Sequence, residues 1–137
     1  MRPEDREQRD KNMQIFSVAS QRTQWLSARL GVIAGNVANA STPGFRAREV
    51  TPFSAVLESS GAAMARTSPA HLNASGGAGG AAIETREAPP ARMTHSGNTV
   101  SLEKEMMAGA ETVRAYRLTA GLVRSWHHMF LMSLRDG

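Results

Sequence analysis

Residues 34–49 read Ala-Gly-Asn-Val-Ala-Asn-Ala-Ser-Thr-Pro-Gly-Phe-Arg-Ala-Arg-Glu. The stretch joins two structural statements. Its first half continues an amphipathic helix, and its second half stops that helix and opens an extended, basic segment. Thr42 precedes a proline and is pushed out of the helical region. Pro43 has a fixed φ and no amide hydrogen. Gly44 accepts a positive φ, so Pro43-Gly44 suits the middle of a type II turn. Asn39, Ser41 and Thr42 carry side chains that can bond the last helical backbone groups locally. Beyond the turn, residues 45–53 alternate loosely and are expected to be extended, with Pro52 barred from a central strand. Residues 54–57 are expected to add a short turn of helix.

Upstream of the stop, Ile15, Ala19, Leu26, Leu30, Ile33, Val37 and Ala40 fall at spacings of three and four, or their sum. That period predicts a helix over residues 13–41 with one apolar stripe. Arg22 is a defect on the stripe, and Trp25 lies beside it and widens the apolar face. A helix of this length is about 40 Å long, longer than a small globule needs, which implies a coiled-coil-like partner. Residues 1–12 hold four acidic and four basic residues and no apolar run. They are expected to form a disordered, solvated tail.

The other end of the chain carries the partner. Ser101 can cap a helix, and Glu103 and Glu105 fall in its first turn, where the helix dipole favours negative charge. Leu102, Met106, Gly109, Val113, Tyr116, Ala120, Val123, His127, Phe130 and Leu134 then alternate by four and three. This 3.5-residue period predicts supercoiled packing of a helix within residues 99–137. Gly109 and Ala120 are small enough to let a partner approach. The packing residues expected from the two stripes are Leu26, Leu30, Ile33, Val37, Leu102, Met106, Val113, Tyr116, Val123, Phe130 and Leu134.

Residues 58–98 change character. Gly, Ala, Ser and Pro dominate, with Gly76-Gly-Ala-Gly-Gly80 at the centre. The large apolar residues are sparse, which predicts a flexible insert with at most a short hairpin. The fold class that follows is mainly α. Long N- and C-terminal helices pair as a coiled-coil-like core, residues 42–57 form a turn and extended segment, and residues 58–98 form the insert.

Composition narrows the function. Hydrophobic residues are 41% of 137, but many are alanine, and aromatics are only 5%, which favours thin packing between helices over a thick core. Cysteine is absent, so disulfides, thiolate nucleophiles and cysteine-based zinc sites are excluded. No run of apolar residues is long enough to span a membrane. The N-terminal residues lack the apolar stretch of a cleaved secretory signal, so any export is expected to use another route. The net charge is +4, but no segment is a dense basic block, which argues against nucleic acid as a partner.

Candidate chemistry fails on spacing. The glycine cluster lacks the Lys and Ser/Thr of a phosphate loop, and no strand precedes it. His127 and His128 are adjacent on a helix and point about 100° apart, so they do not share one ion. Their further ligands would have to come from His71 or His95 in the insert. Glu103 and Glu105 lie on different helix faces, and no nucleophile with a base stands out. The sequence therefore predicts no enzyme, no cofactor, no metal and no small-molecule ligand. Asn39-Ala-Ser41 and Asn73-Ala-Ser75 match the glycosylation acceptor pattern and are read as chance. Arg46 and Arg48 lie on one side of an extended segment. They either pair with acidic groups on a neighbouring subunit or stay solvated.

The run Gly35-Asn-Val-Ala-Asn-Ala-Ser-Thr-Pro-Gly-Phe-Arg46 resembles the N-terminal signature of bacterial flagellar axial proteins, the rod, hook and related subunits. Val37 stands where that signature usually has Ile, and Phe45 is one of its accepted aromatics. Residues 46–53, the Thr67 to Leu72 element and Gly97-Asn-Thr-Val-Ser-Leu-Glu-Lys-Glu-Met106 are similar to the short proximal rod subunits of the basal body. The glycine-rich centre matches nothing. The resemblance implies an assembly motif at Asn36, Asn39, Thr42, Pro43, Gly44, Phe45 and Arg46. It implies a periplasmic rod subunit exported by the flagellar type III apparatus without signal cleavage, packed around a central channel to help transmit torque. Its implied partners are copies of itself, the rod subunits FlgC, FlgF and FlgG, and FliE, the adaptor between the rod and the MS ring. The alternative reading is a monomeric basic helical module that binds a membrane surface or nucleic acid through Arg22, Arg29, Arg46 and Arg48.

Overall fold

The structure, a computed structural model, describes residues 3–64, 83–90 and 93–135, with side chains over 13–59, 83–90 and 93–132. The element order is α1 (Pro3–Ala38), β1 (Arg48–Val50), α2 (Phe53–Met64), β2 (Thr85–Glu87) and α3 (Leu102–Arg135). The protein is mainly α, with the two long helices the sequence predicts. Rising numbers on α1 face falling numbers on α3, so the helices run antiparallel. Ile33 lies beside Gly109, Arg29 reaches Glu111, and Phe16 shares a groove wall with Val123.

The ends of α1 differ from the expected bounds. It begins at Pro3 rather than Met13, so the stretch expected to be a disordered tail has a helical backbone through residue 12. Pro3 suits a first helical position, and Asp5 and Arg9, like Glu7 and Lys11, stand four apart in sequence. The balanced charges that suit a solvated tail also suit a helix. At the other end α1 stops at Ala38, short of Ser41. The last turn tightens, with Asn39 N donating to Asn36 O at 3.1 Å and Ala40 N to Val37 O at 3.2 Å.

α2 is longer than the single turn expected. It runs on through residues 58–64, which composition assigns to the insert. Its alanines, Leu57, Glu58 and Met64 are good helix formers, and Pro52 O receives the first amides, from Ala55 and Val56. β1 pairs antiparallel with β2, in the register Arg48↔Glu87, Glu49↔Arg86 and Val50↔Thr85. The hairpin expected inside the insert is therefore a ladder between the insert and the segment before α2. Residues 67–72 and the glycine cluster at 76–80 lie outside the described residues.

The core sits along the second half of α1, where it meets the small sheet and α2. Trp25, Leu26, Val50 and Val56 are buried there, flanked by Ala28, Val32, Phe53, Ile83 and Ala115. Trp25 Nε1 donates to Thr51 O at 2.7 Å, and its ring tilts against Phe53 with centroids 5.9 Å apart. The stripe defect at Arg22 is accommodated, because its guanidinium stacks over the Phe53 ring at 5.2 Å.

On α3 the packed face differs from the expected stripe. Thr112 and Thr119 are buried, and Ala108, Ala115 and Trp126 are half-buried beside them. Leu102, Met106, Tyr116 and Phe130 are exposed instead. Gly109, Val113, Ala120 and Val123 are half-buried, and the Leu134 side chain lies outside the described ones. The helix turns its small side toward α1, which allows close approach. The threonine hydroxyls bury without loss because each donates to a carbonyl of its own helix, Thr112 to Ala108 at 2.6 Å and Thr119 to Ala115 at 3.0 Å.

Candidate functional site

Among the described residues, the turn after α1 and the segment packed on it gather three of the five buried polar residues, Asn36, Asn98 and Thr99. Asn36 is on the last turns of α1 and only 2% exposed. Its Nδ2 donates to Arg48 O at 2.8 Å, and its Oδ1 accepts from Arg48 N at 2.9 Å. One side chain thus pairs with the free edge of β1 as a neighbouring strand would. Asn39 Nδ2 donates to Gly35 O at 2.8 Å, and its own carbonyl accepts Thr42 N at 3.0 Å. The Thr42 hydroxyl closes on Asn39 Oδ1 at 3.3 Å.

Pro43 and Gly44 then reverse the chain. Phe45 N donates to Thr42 O at 3.3 Å, and Gly44 has φ 71°. That is the arrangement of a type II turn, with glycine where positive φ is required. The segment beyond lies along residues 96–99. Gly44 N donates to Ser96 O at 2.9 Å and Thr99 N to Phe45 O at 3.1 Å, while Ala47 N donates to the Thr99 hydroxyl at 2.9 Å.

The expected assembly residues therefore divide. Asn36 is buried, Asn39 and Phe45 are half-buried, and Thr42, Pro43, Gly44 and Arg46 are exposed. The sequence reading missed the partners from the far side, Thr94, Asn98 and Thr99. Asn98 and Thr99 are both buried. Gly97-Asn98 just ahead of a helix was a visible signal, but nothing local says which distant carbonyls it meets.

The basic residues also divide. Arg48 Nη2 donates to Thr85 Oγ1 at 2.7 Å. Arg29 stacks over Trp25 at 5.4 Å and reaches Glu111 at 3.8 Å. Arg46 is exposed. Three of the four arginines that a polyanion-binding module needs, Arg22, Arg29 and Arg48, are thus engaged inside the chain. Among the described residues no three metal-ligating side chains gather, and no helix is long and apolar enough to cross a membrane.

Away from the turn, the helix pair has an apolar face. Ile15, Val18, Leu118, Leu122 and Trp126 line a groove of about 700 Å³ along the α1·α3 seam. Leu118 and Leu122 are 65% and 57% exposed, and Met106, Met107, Met129 and Leu131 are likewise exposed. An exposed apolar groove such as the one at Leu118 and Leu122 is the kind of surface that marks a protein contact.

The chain is 43% identical to the flagellar basal body rod protein FlgB of Agrobacterium fabrum over 128 residues. The alignment spans 90% of this chain and 94% of that one. The chain belongs to the FlgB family of flagellar basal-body rod proteins. FlgB of Cereibacter sphaeroides is 32% identical over 95 residues, 69% of this chain and 73% of its own length. Residues 16–46 also match the flagella basal body rod protein family. In this FlgB-family chain that match runs from Phe16 on α1 through the turn to Arg46, taking in Asn36, Pro43 and Gly44.

Proposed function

We propose that this FlgB-family chain, a structural subunit of the flagellar basal-body rod, serves in the proximal rod. The α1·α3 pair forms the contact between subunits around a central export channel, and the turn at residues 39–45 sets the angle at which the sheet and α2 leave it. One observation carries this reading. Large apolar residues of α3, Leu118 and Leu122 among them, stand exposed, and no described element of the chain covers the face they form. Burying such residues against neighbours stabilises an assembly by about 25 cal/mol per Å².

The neighbours proposed are copies of this chain, FlgC, FlgF and FlgG, with FliE joining the rod to the membrane ring. Delivery through the flagellar type III apparatus to the periplasm, without signal cleavage, belongs to the same reading, as does torque transmission. Replacing Pro43 and Gly44 together by alanine tests it. The helix then extends past its stop, and both swimming and basal-body yield are expected to be lost. Normal motility and yield in that variant would sink the proposal. The module that binds membrane or nucleic acid is not favoured, since the family is a rod family and Arg22 and Arg29 are already occupied.

A further inference from the structure

The turn after α1 is not closed by its own residues alone. The carbonyls of Asn39, Ala40 and Thr42 converge on one atom, Asn98 Nδ2, at 2.9, 3.0 and 2.7 Å. The amide carries two hydrogens, so three acceptors share them. Asn98 Oδ1 accepts from Val100 N at 2.7 Å. That contact fixes the orientation of the amide, since its oxygen meets a donor while its nitrogen meets acceptors. The side chain is only 2% exposed.

The Asn98 main chain is itself clamped. Thr94 N donates to Asn98 O at 2.9 Å, and Asn98 N donates to the Thr94 hydroxyl at 3.1 Å. Gly97, at φ 78°, makes the reversal possible and brings its backbone against Gly44.

The last carbonyls of a helix carry partial negative charge and need donors. A glycine immediately after the helix often lets the chain fold back and supply them. Here the first positive-φ glycine, Gly44, comes six residues after Ala38. Asn39 and Ala40 serve carbonyls of the last turn of α1, and the turn carbonyls beyond them take their donor from residue 98, four residues before α3 begins.

We propose that Asn98 is the positioning residue of the turn. By donating across the two ends of the molecule it makes the shape of residues 39–44 conditional on the segment that starts α3, and it fixes where α3 sets out relative to α1. The turn signature and the Gly97-Asn98 signature are then one unit. This goes beyond the rod-subunit reading and stands or falls without it.

The test compares Asn98→Asp with Asn98→Ala in the full chain, by urea unfolding followed in the far ultraviolet. Asp keeps the shape and the acceptor for Val100 N. It replaces the donors with a carboxylate oxygen facing three carbonyls. At about pH 7 the folding constant of Asn98→Asp is expected to fall at least about tenfold below wild type, and below Asn98→Ala. At about pH 4 the carboxyl regains a proton and one O–H donor, and its deficit shrinks.

The sign follows from linkage. Repulsion from the carbonyls raises the folded pKa of the introduced carboxyl above its unfolded value, so its stability is present at low pH and lost as pH rises. The Asn98→Ala deficit stays constant with pH. Residues 36–44 contain no titratable group. Those nearby on the other segments are Arg46, Arg48, Glu49, His95, Glu103, Lys104 and Glu105, and comparison with wild type at each pH cancels them. The proposal is overturned if Asn98→Asp matches wild type at neutral pH, if the two variants show equal deficits at both pH values, or if the wild-type chain has no cooperative transition.

Discussion

Asn36 and Arg48 are joined by a pair of hydrogen bonds, side-chain amide to main chain, at 2.8 and 2.9 Å. The pair ties the end of α1 to β1, twelve residues on, and the Asn36 side chain is almost fully out of water. Asn36→Ala strands the Arg48 amide and carbonyl. It is expected to lower stability by roughly 2 kcal/mol or more, since the two unpaired groups each cost about 1–3 kcal/mol when kept from water. Asn36→Asp keeps the acceptor and loses the donor, so it is expected to recover only part. Urea midpoints of the three chains check this order.

Leu26 is 1% exposed and packs with Trp25 and Val50. Leu26→Ala is expected to cost about 2–5 kcal/mol, the range for truncating a buried leucine. Trp25→Phe removes the bond to Thr51 O and leaves that carbonyl without its donor, a loss of about 1–3 kcal/mol. Thermal unfolding would separate the two, and equal small shifts would contradict the placement of the core.

Leu118 and Leu122 give the opposite pattern. Both are more than half exposed on the groove, so Leu118→Ser with Leu122→Ser is expected to change the stability of the free chain by no more than about 0.5 kcal/mol each. Basal-body yield and swimming are expected to collapse, because the apolar face is then broken. Intact assembly with those serines would show that the face has another use.

Gly31 sits in mid-helix, and a methyl group added there meets nothing within 4 Å. Gly31→Ala is expected to stabilise the free chain by about 0.5–1 kcal/mol, the usual gain for removing a helical glycine. A calorimetric melt checks it. A fall in stability would mean the space is not open.

The sequence carried the architecture because its strongest signals are local. Periodicity placed two long helices, and Thr42-Pro43-Gly44 placed the turn between them within a few residues. The pattern misleads where several faces of one helix compete. The large residues Leu102, Met106, Tyr116 and Phe130 of α3 make the apolar stripe, yet they are exposed. The seam instead takes Thr112 and Thr119, whose hydroxyls are satisfied inside the helix. Polar identity hides them from a pattern that counts apolar residues. The partners of the turn are hidden for a different reason. Asn98 meets carbonyls 56 to 59 residues away, and sequence spacing has no purchase on contacts of that span. Gly44 is visible because the turn it serves closes locally, Phe45 N on Thr42 O, and Asn36 because it falls within the signature that contains that turn.

The threonine-lined seam has a mechanical consequence. The hydroxyls that Thr112 and Thr119 donate are spent along their own helix, so they do not index α3 against α1. The alignment of the pair rests instead on contacts that do cross it, Ile33 against Gly109 and Arg29 toward Glu111 at 3.8 Å, together with the Asn98 amide under the turn that ends α1. A load along the helices is therefore met first at those contacts, near the turn, and not by the threonines.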